Sequence, residues 1–415
     1  MSPNLDIQKK RRTNMRAKRI VALAVAAVSV IGMSVAVAVP SSAATNFCTV
    51  TDLKTAGGMD ALVAAAKKEG QLNVITLPRD WANYGEAMDL FTKAFGIKIV
   101  DDNPDGSSAY ELQTIATAPA AKQPDVVDIG VSALNTVTGA GRPSIFAPYK
   151  VATWNHIPNV WKDPAGAWYG DYSGIIALSY DSSVSPAPTK IADLTNPAYK
   201  GMVALGGDPT AAQMSFLSVF AAAIAKGGSA TNIQPGLDFF KALKSSGNYV
   251  AVNANGENYA AGAYKISLSW NFNAPGAIAT AKAAGKTLKF VIPTDAVLQG
   301  TPYIQAINKK APHCAAARLW EEFLYSENKG ISSAKVTAAD KKLPGSKLFA
   351  KIMGGQNIFV SGGATPINAP AMIKAKSIID GPEGLNIPKG AKIVQPNPDQ
   401  QDAAKKLVVA QWPTL

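Results

Sequence analysis

The sequence predicts an α/β protein of two lobes, and three observations carry that expectation. Short apolar runs of strand character alternate with helical stretches, the rhythm of parallel strands joined by helical crossovers. The rhythm occurs twice, over residues 59–129 and again over 175–325, with a loop rich in Trp, Pro and Gly between. The chain is also long enough: 415 residues, 47% hydrophobic and 17% charged, hold two or three cores at about 150 residues per domain.

The elements follow in order. Met59 to Glu69 reads as a helix stopped by Gly70, and Leu72 to Leu77 as a compact apolar strand. Glu86 to Phe95 places Met88, Phe91 and Phe95 on one helical face, with Gly96 behind it. Ile97 to Val100 is a strand, Tyr110 to Thr117 a helix, and Val126 to Ile129 a buried strand. In the second region Ile175 to Tyr180, Met202 to Leu205, Tyr249 to Val252, Ile266 to Trp270, Leu288 to Ile292 and Tyr303 to Ile307 read as strands. Gln213 to Ala225, Leu237 to Lys244, Ala277 to Ala284 and Ala315 to Tyr325 read as helices. Mixed, mostly parallel sheets are expected.

Composition excludes several classes. Apolar content is too high for a disordered chain, and no stretch after position 40 is long enough to span a membrane. The net charge of +12 does not indicate nucleic-acid binding. Residues 1–44 carry seven basic residues against Asp6 alone, and the remaining excess is dispersed without a basic block. Arg16, Lys18 and Arg19 precede an apolar stretch from Ile20 to Val39, followed by Pro40 and Ser42-Ala43-Ala44. That is the pattern of a cleaved export signal over residues 1–44, with an uncleaved anchor as the alternative, and it predicts an extracytoplasmic mature chain. Only Cys48 and Cys314 exist. Outside the cell the even count suggests a bridge pinning the mature N-terminus to the body, with two unrelated thiols as the alternative. The expected division is 45–150 as the first part of lobe one, 151–298 as lobe two, and 299–415 as the rest of lobe one with C-terminal elements.

In open parallel sheets ligands sit beyond the carboxyl ends of strands. After the first strand the chain places Asp80, Trp81 and Tyr84 within nine residues, a dense supply of aromatic faces and carboxylates. Asp171 and Tyr172 stand near the start of the second region, Asp208 follows its second strand, and Trp270 ends a later strand. Asp295 lies three residues beyond Ile292. Asp80, Asp171, Asp208 and Asp295 favour a cationic ligand, whereas Arg79 and Arg142 keep an anionic one open. His156 and His313 are the only histidines, no Gly-x-Ser-x-Gly elbow occurs, and no Cys/His cluster has metal-ligand spacing. Neither a catalytic centre nor a metal or cofactor is expected, and a secreted hydrolase is the lesser alternative.

Four segments resemble the extracellular solute-binding proteins of ABC importers, in the branch that contains polyamine, ferric-iron, thiamine and phosphonate binders. They are Leu62 to Gly70, Phe91 to Ile99, Asp193 to Gly201 and Ala306 to His313, the last leading into the helix from Ala315. The resemblance spans roughly residues 55–330. It implies a periplasmic-binding-protein type II fold with a hinge, and a monomer that captures a solute and delivers it to a permease and its ATPase. By position it places Trp81, Tyr84 and Trp270 at aromatic walls, and Asp208 and Asp295 at carboxylates facing an amine. A polyamine-like cation is therefore the expected ligand, with an anion such as a phosphonate as the alternative.

Overall fold

The computed structural model describes residues 45–138, 144–368 and 387–415. The expected leader at 1–44 and Arg142 lie outside the described residues. Helices α1 (Met59–Glu69) and α2 (Tyr84–Phe95) each stop at a glycine, Gly70 and Gly96, whose φ of 70° and 72° is the left-handed geometry that caps a helix cheaply only without a Cβ. Between them β1 (Gln71–Ile75) pairs in parallel with β2 (Lys98–Asp102). Helix α3 (Ser108–Thr117), capped by the Ser107 hydroxyl, leads to β3 (Val126–Ile129), which is buried at all four positions. Helix α4 (Val131–Val137) and strands β4 (Phe146–Ala147) and β5 (Tyr169–Gly170) complete this part.

Strand β6 (Tyr172–Ser173) leads into the second lobe. That lobe is built from β7 (Ile176–Asp181), β8 (Val203–Leu205), α5 (Gln213–Ala225), α6 (Gln234–Ser246), β9 (Tyr249–Asn253), α7 (Gly256–Ala260), β10 (Ile266–Trp270), α8 (Ala274–Ala283) and β11 (Leu288–Val291). Its sheet has the order β11-β7-β10-β8-β9. Helix α5 is apolar nearly all round and buried over Gln213 to Ala223, as a central helix must be. After β12 (Val297–Leu298) the chain returns to the first lobe as β13 (Ile304–Asn308), which pairs antiparallel with β3, β4 and β5. Then come α9 (Cys314–Leu324), α10 (Gly345–Lys351), α11 (Gly355–Ser361), β14 (Thr365–Pro366), β15 (Ile393–Val394) and α12 (Pro398–Gln411).

The fold is the expected two-lobed α/β arrangement, with one difference in the sheets. Among the described strand pairings four are parallel and six antiparallel. Strands that cross between lobes enter each sheet against its direction, and a buried apolar run carries no record of direction.

The crossings also move the expected boundaries. Gly170 still pairs with Ile304, and Tyr149 donates to Glu322 Oε1 at 2.8 Å. Thr153 donates to the Tyr325 carbonyl at 3.0 Å. Residues 151–170 therefore pack with β13 and α9 of the first lobe rather than opening the second. Three neighbouring segments make the passage: β6 pairs with β14, Gly300 N donates to the Gly174 carbonyl at 2.8 Å, and Tyr303 N to the Tyr172 carbonyl at 2.8 Å. At the other end of the chain, β15 pairs with β12, and Trp412 packs 5.4 Å from the Phe240 ring of α6. Residues 387–415, expected with lobe one, thus pack on both lobes, since α12 also lies against α4, where Asn135 donates to the Pro398 carbonyl at 3.5 Å. Gln401, Ala404 and Val408 form the buried stripe of α12, too narrow to stand out in so polar a helix.

Cys48 and Cys314 are joined in a disulfide. Arg318, buried on α9, ties down the same corner by donating to the carbonyls of Cys48, Val50 and Cys314 at 3.1, 2.9 and 3.0 Å. No helix among the described residues is long and apolar enough to cross a membrane.

Candidate functional site

A cavity of about 180 Å³ lies between the lobes. Its first-lobe wall comes from the loop after β1 (Thr76, Pro78, Asp80, Trp81), the loop into α3 (Pro104 to Ser108), Glu111 on α3, Asp128 on β3 and Tyr303 before β13. The second-lobe wall comes from strand residues Ser179, Ser267, Ser269 and Phe290, the start of α5 at Gln213, the turn after β9 at Asn255, and Tyr259, Tyr264 and Asn273. The period-two geometry of a strand explains the serines: in β10, Ser267 and Ser269 face the cleft while Ile266, Leu268 and Trp270 fill the core.

The lobes touch. The Trp81 and Phe272 rings lie 5.5 Å apart, and the Ser132 hydroxyl donates to Gln213 Oε1 at 2.6 Å. Gly276 on α8 packs so closely on the first lobe that a Cβ there would stand 2.6 Å from Asp80 Cβ and 2.8 Å from its carbonyl oxygen. Gly276→Leu is expected to prop the jaws apart at a cost of about 1–3 kcal/mol to the closed state. Ligand affinity should fall by roughly tenfold or more, and the radius of gyration in solution scattering should rise. The unfolding temperature should hold, because the clash is between lobes. An unchanged affinity would mean that closure does not bring α8 against Asp80.

The floor of the cavity is acidic and buried. Asp128 Oδ2 lies 3.1 Å from the Tyr84 hydroxyl and 3.0 Å from that of Tyr172, which accepts from Trp81 Nε1 at 2.7 Å. Asp171 Oδ2 lies 3.2 Å from the Tyr84 hydroxyl and accepts from Gln305 Nε2 at 3.2 Å. The backbone N–H of Asp128 donates to Glu111 Oε2 at 3.0 Å. Burial pushes the Glu111 carboxyl well above the ordinary range, and the neighbouring Asp128 charge adds to this. Asp171 is pushed up in the same way, by burial first and by Asp128 second. Asp128 itself is pushed up to about 7 by burial, against the hydrogen bonds from Tyr172 and Tyr84.

Of the residues the sequence singled out, Asp80 and Trp81 line the cavity. Tyr84, Asp171 and Tyr172 form the buried layer behind it. Three stand elsewhere. Trp270 is buried, with its N–H donating to the Tyr303 hydroxyl at 3.1 Å, so it supports the wall without forming it. Asp208 is exposed and accepts from Thr210 N at 2.6 Å, closing the turn before α5. Asp295 accepts from the N–H groups of Ile191 and Ala192, both at 2.9 Å, which occupies it as a helical cap. Arg79, the candidate for an anion, pairs with Asp89 at 2.7 Å on the surface. His156 and His313 pair with Glu327 and Asp125 and do not line the cavity.

Glu111 and Asp128 were missed, and each carries a signal. Glu111 falls on the buried face of α3 with Ser108 and Ile115, and Asp128 interrupts the apolar run Val126 to Ile129. A carboxylate where the pattern demands an apolar side chain marks a site, because its burial has to be compensated.

Residues 125–347 match the family model of the bacterial extracellular solute-binding proteins. The chain belongs to that family. Three solved structures share the fold of this solute-binding protein. One is the periplasmic binding protein AfuA of Actinobacillus pleuropneumoniae with fructose-6-phosphate, 17% identical, TM-score 0.56, covering 83% of this chain and 97% of that one. Iron-bound HitA of Pseudomonas aeruginosa is 17% identical, TM-score 0.51, covering 83% and 99%. A Listeria monocytogenes protein named for spermidine/putrescine ABC transport is 12% identical, TM-score 0.52, covering 83% and 99%. No curated protein matches the chain. At these identities the likeness establishes the two-lobed binding-protein fold and leaves the ligand to the chemistry of the cleft. Membership in an extracellular family places the protein outside the cytoplasm.

Proposed function

We propose that this solute-binding protein captures a small organic cation, a polyamine-like amine, between its lobes and hands it unaltered to a membrane permease driven by an ATPase. One observation carries the reading. Asp80, Asp105, Glu111 and Asp128 line the cavity, and no lysine, arginine or histidine among the described residues does. Such a wall repels phosphate, sulfate or carboxylate ligands, which need Arg, Lys or free N–H groups. Trp81, Tyr259 and Tyr303 add the aromatic faces that accept an ammonium or its methylene chain. Residues 1–44 act in this reading as the cleaved export signal, and the mature protein works as a monomer. Among the described residues no group of three or more His, Cys, Asp and Glu is arranged to hold a metal ion.

Isothermal calorimetry of the mature chain with putrescine, spermidine and thiamine tests the proposal. Saturable binding of at least one is expected. Silence from all three overturns it.

A further inference from the structure

Glu111 and Asp128 both line the cavity floor, linked by the Asp128 N–H on Glu111 Oε2 at 3.0 Å, and each has one side-chain oxygen unused. Glu111 is wholly buried and Asp128 is 6% exposed, yet Glu111 Oε1 and Asp128 Oδ1 have no hydrogen-bond partner among the described residues. Across the cavity Ser269 Oγ, on a residue 8% exposed, and Asn273 Oδ1 are also unpartnered. Once both acids are ionised, the two carboxylate oxygens and the amide oxygen accept only, so a partner that leaves both charged has to bring N–H donors. The ionisable groups facing the pair are all acids or phenols. Tyr84 on α2 and Tyr172 on β6 hold Asp128 Oδ2, and Tyr303 before β13 faces both carboxyls. Asp101 on β2 faces Glu111, while Asp171 beside β6 and Glu321 and Tyr325 at α9 face Asp128.

Building on the organic-cation reading, we infer that the ligand's ammonium group seats on the Glu111–Asp128 pair and expels a proton from it. The site exchanges one proton for each cation. Two neighbouring buried carboxylates with no basic group beside them are not both ionised while no cation is near. Burial that lifts both carboxyls keeps a proton on the pair near neutrality. When the ammonium arrives, its charge favours the ionised form, the acid O–H bond breaks, and the proton leaves to buffer. The amine keeps its own proton throughout, since alkyl ammonium groups titrate near 10. The sign follows from linkage. Affinity rises as pH rises towards the free pair's pKa and levels off above it, by at most about tenfold per pH unit for one proton.

Calorimetry with spermidine at about pH 6, in two buffers of different ionisation enthalpy, reads the proton count directly. About one proton released per bound cation is expected, with affinity climbing as pH rises from about 6 through about 7. In Glu111→Gln the count should fall below that of the wild type. If that variant does not fold, the wild-type count alone decides. Spermidine binding with no dependence on buffer or pH overturns the exchange and leaves the cation reading standing. No binding of spermidine, putrescine or thiamine at any pH overturns both.

Discussion

Asp128→Asn is expected to lower affinity for the bound cation by about 100-fold or more and to leave the fold intact. The argument turns on what the substitution keeps. An asparagine oxygen still accepts from the Tyr84 and Tyr172 hydroxyls, at 3.1 and 3.0 Å in the native protein, so the layer beneath the cavity loses no acceptor. What disappears is the negative charge and the free acceptor facing the ligand, replaced by an amide N–H that repels an ammonium. A charged partner removed from a buried pair costs about 3–5 kcal/mol, and 1.4 kcal/mol is a factor of ten. The unfolding temperature of the free protein should stay level or rise, because a buried acid held away from its ordinary ionisation is itself a burden. Calorimetry and thermal unfolding on one preparation check both parts. Native affinity in a folded Asp128→Asn variant would place the ligand elsewhere in the cleft.

Replacing both Cys48 and Cys314 with serine is expected to destabilise the protein by about 2–4 kcal/mol. The bridge spans 266 positions, so opening it frees a very long loop in the unfolded chain. In the native state the loss is local. The segment around Cys48 and Val50 keeps its hydrogen bonds from Arg318, so the double variant should fold and bind while melting earlier. Denaturant unfolding with and without reductant gives the comparison. A midpoint indifferent to both the variant and the reductant would show that Arg318 alone holds the N-terminal corner.

Much of the fold is legible in the chain. Val126 to Ile129, Gln213 to Ala225, Ile266 to Trp270 and Met59 to Glu69 occupy the ranges that patterning predicts. Each is a run whose apolar period and stop residues agree, which leaves little choice of conformation. The cleft was less legible. Asp80 and Trp81 were found by the rule that ligands gather beyond strand ends, but the same rule admitted Asp208 and Asp295. Beyond a strand end a carboxylate can face a ligand or cap the next turn, and the two uses look alike in sequence. Asp295 capping Ile191 and Ala192 illustrates the difficulty, since its partners lie more than a hundred residues away.

By itself, then, the sequence determined the alternating elements and the two-lobed α/β expectation, because periodicity and punctuation act over a few residues at a time. The class of protein came from the resemblance of four segments to a known family. Only the tertiary structure decided which acids share the cavity. Glu111 comes from a helix and Asp128 from a strand, and the crossing of β13 back into the first sheet, which brings Tyr303, completes their surroundings. Proximity of that kind depends on how distant elements pack, and it is proximity in a buried space, with no basic group lining it, that makes two ordinary carboxylates the proposed cation seat.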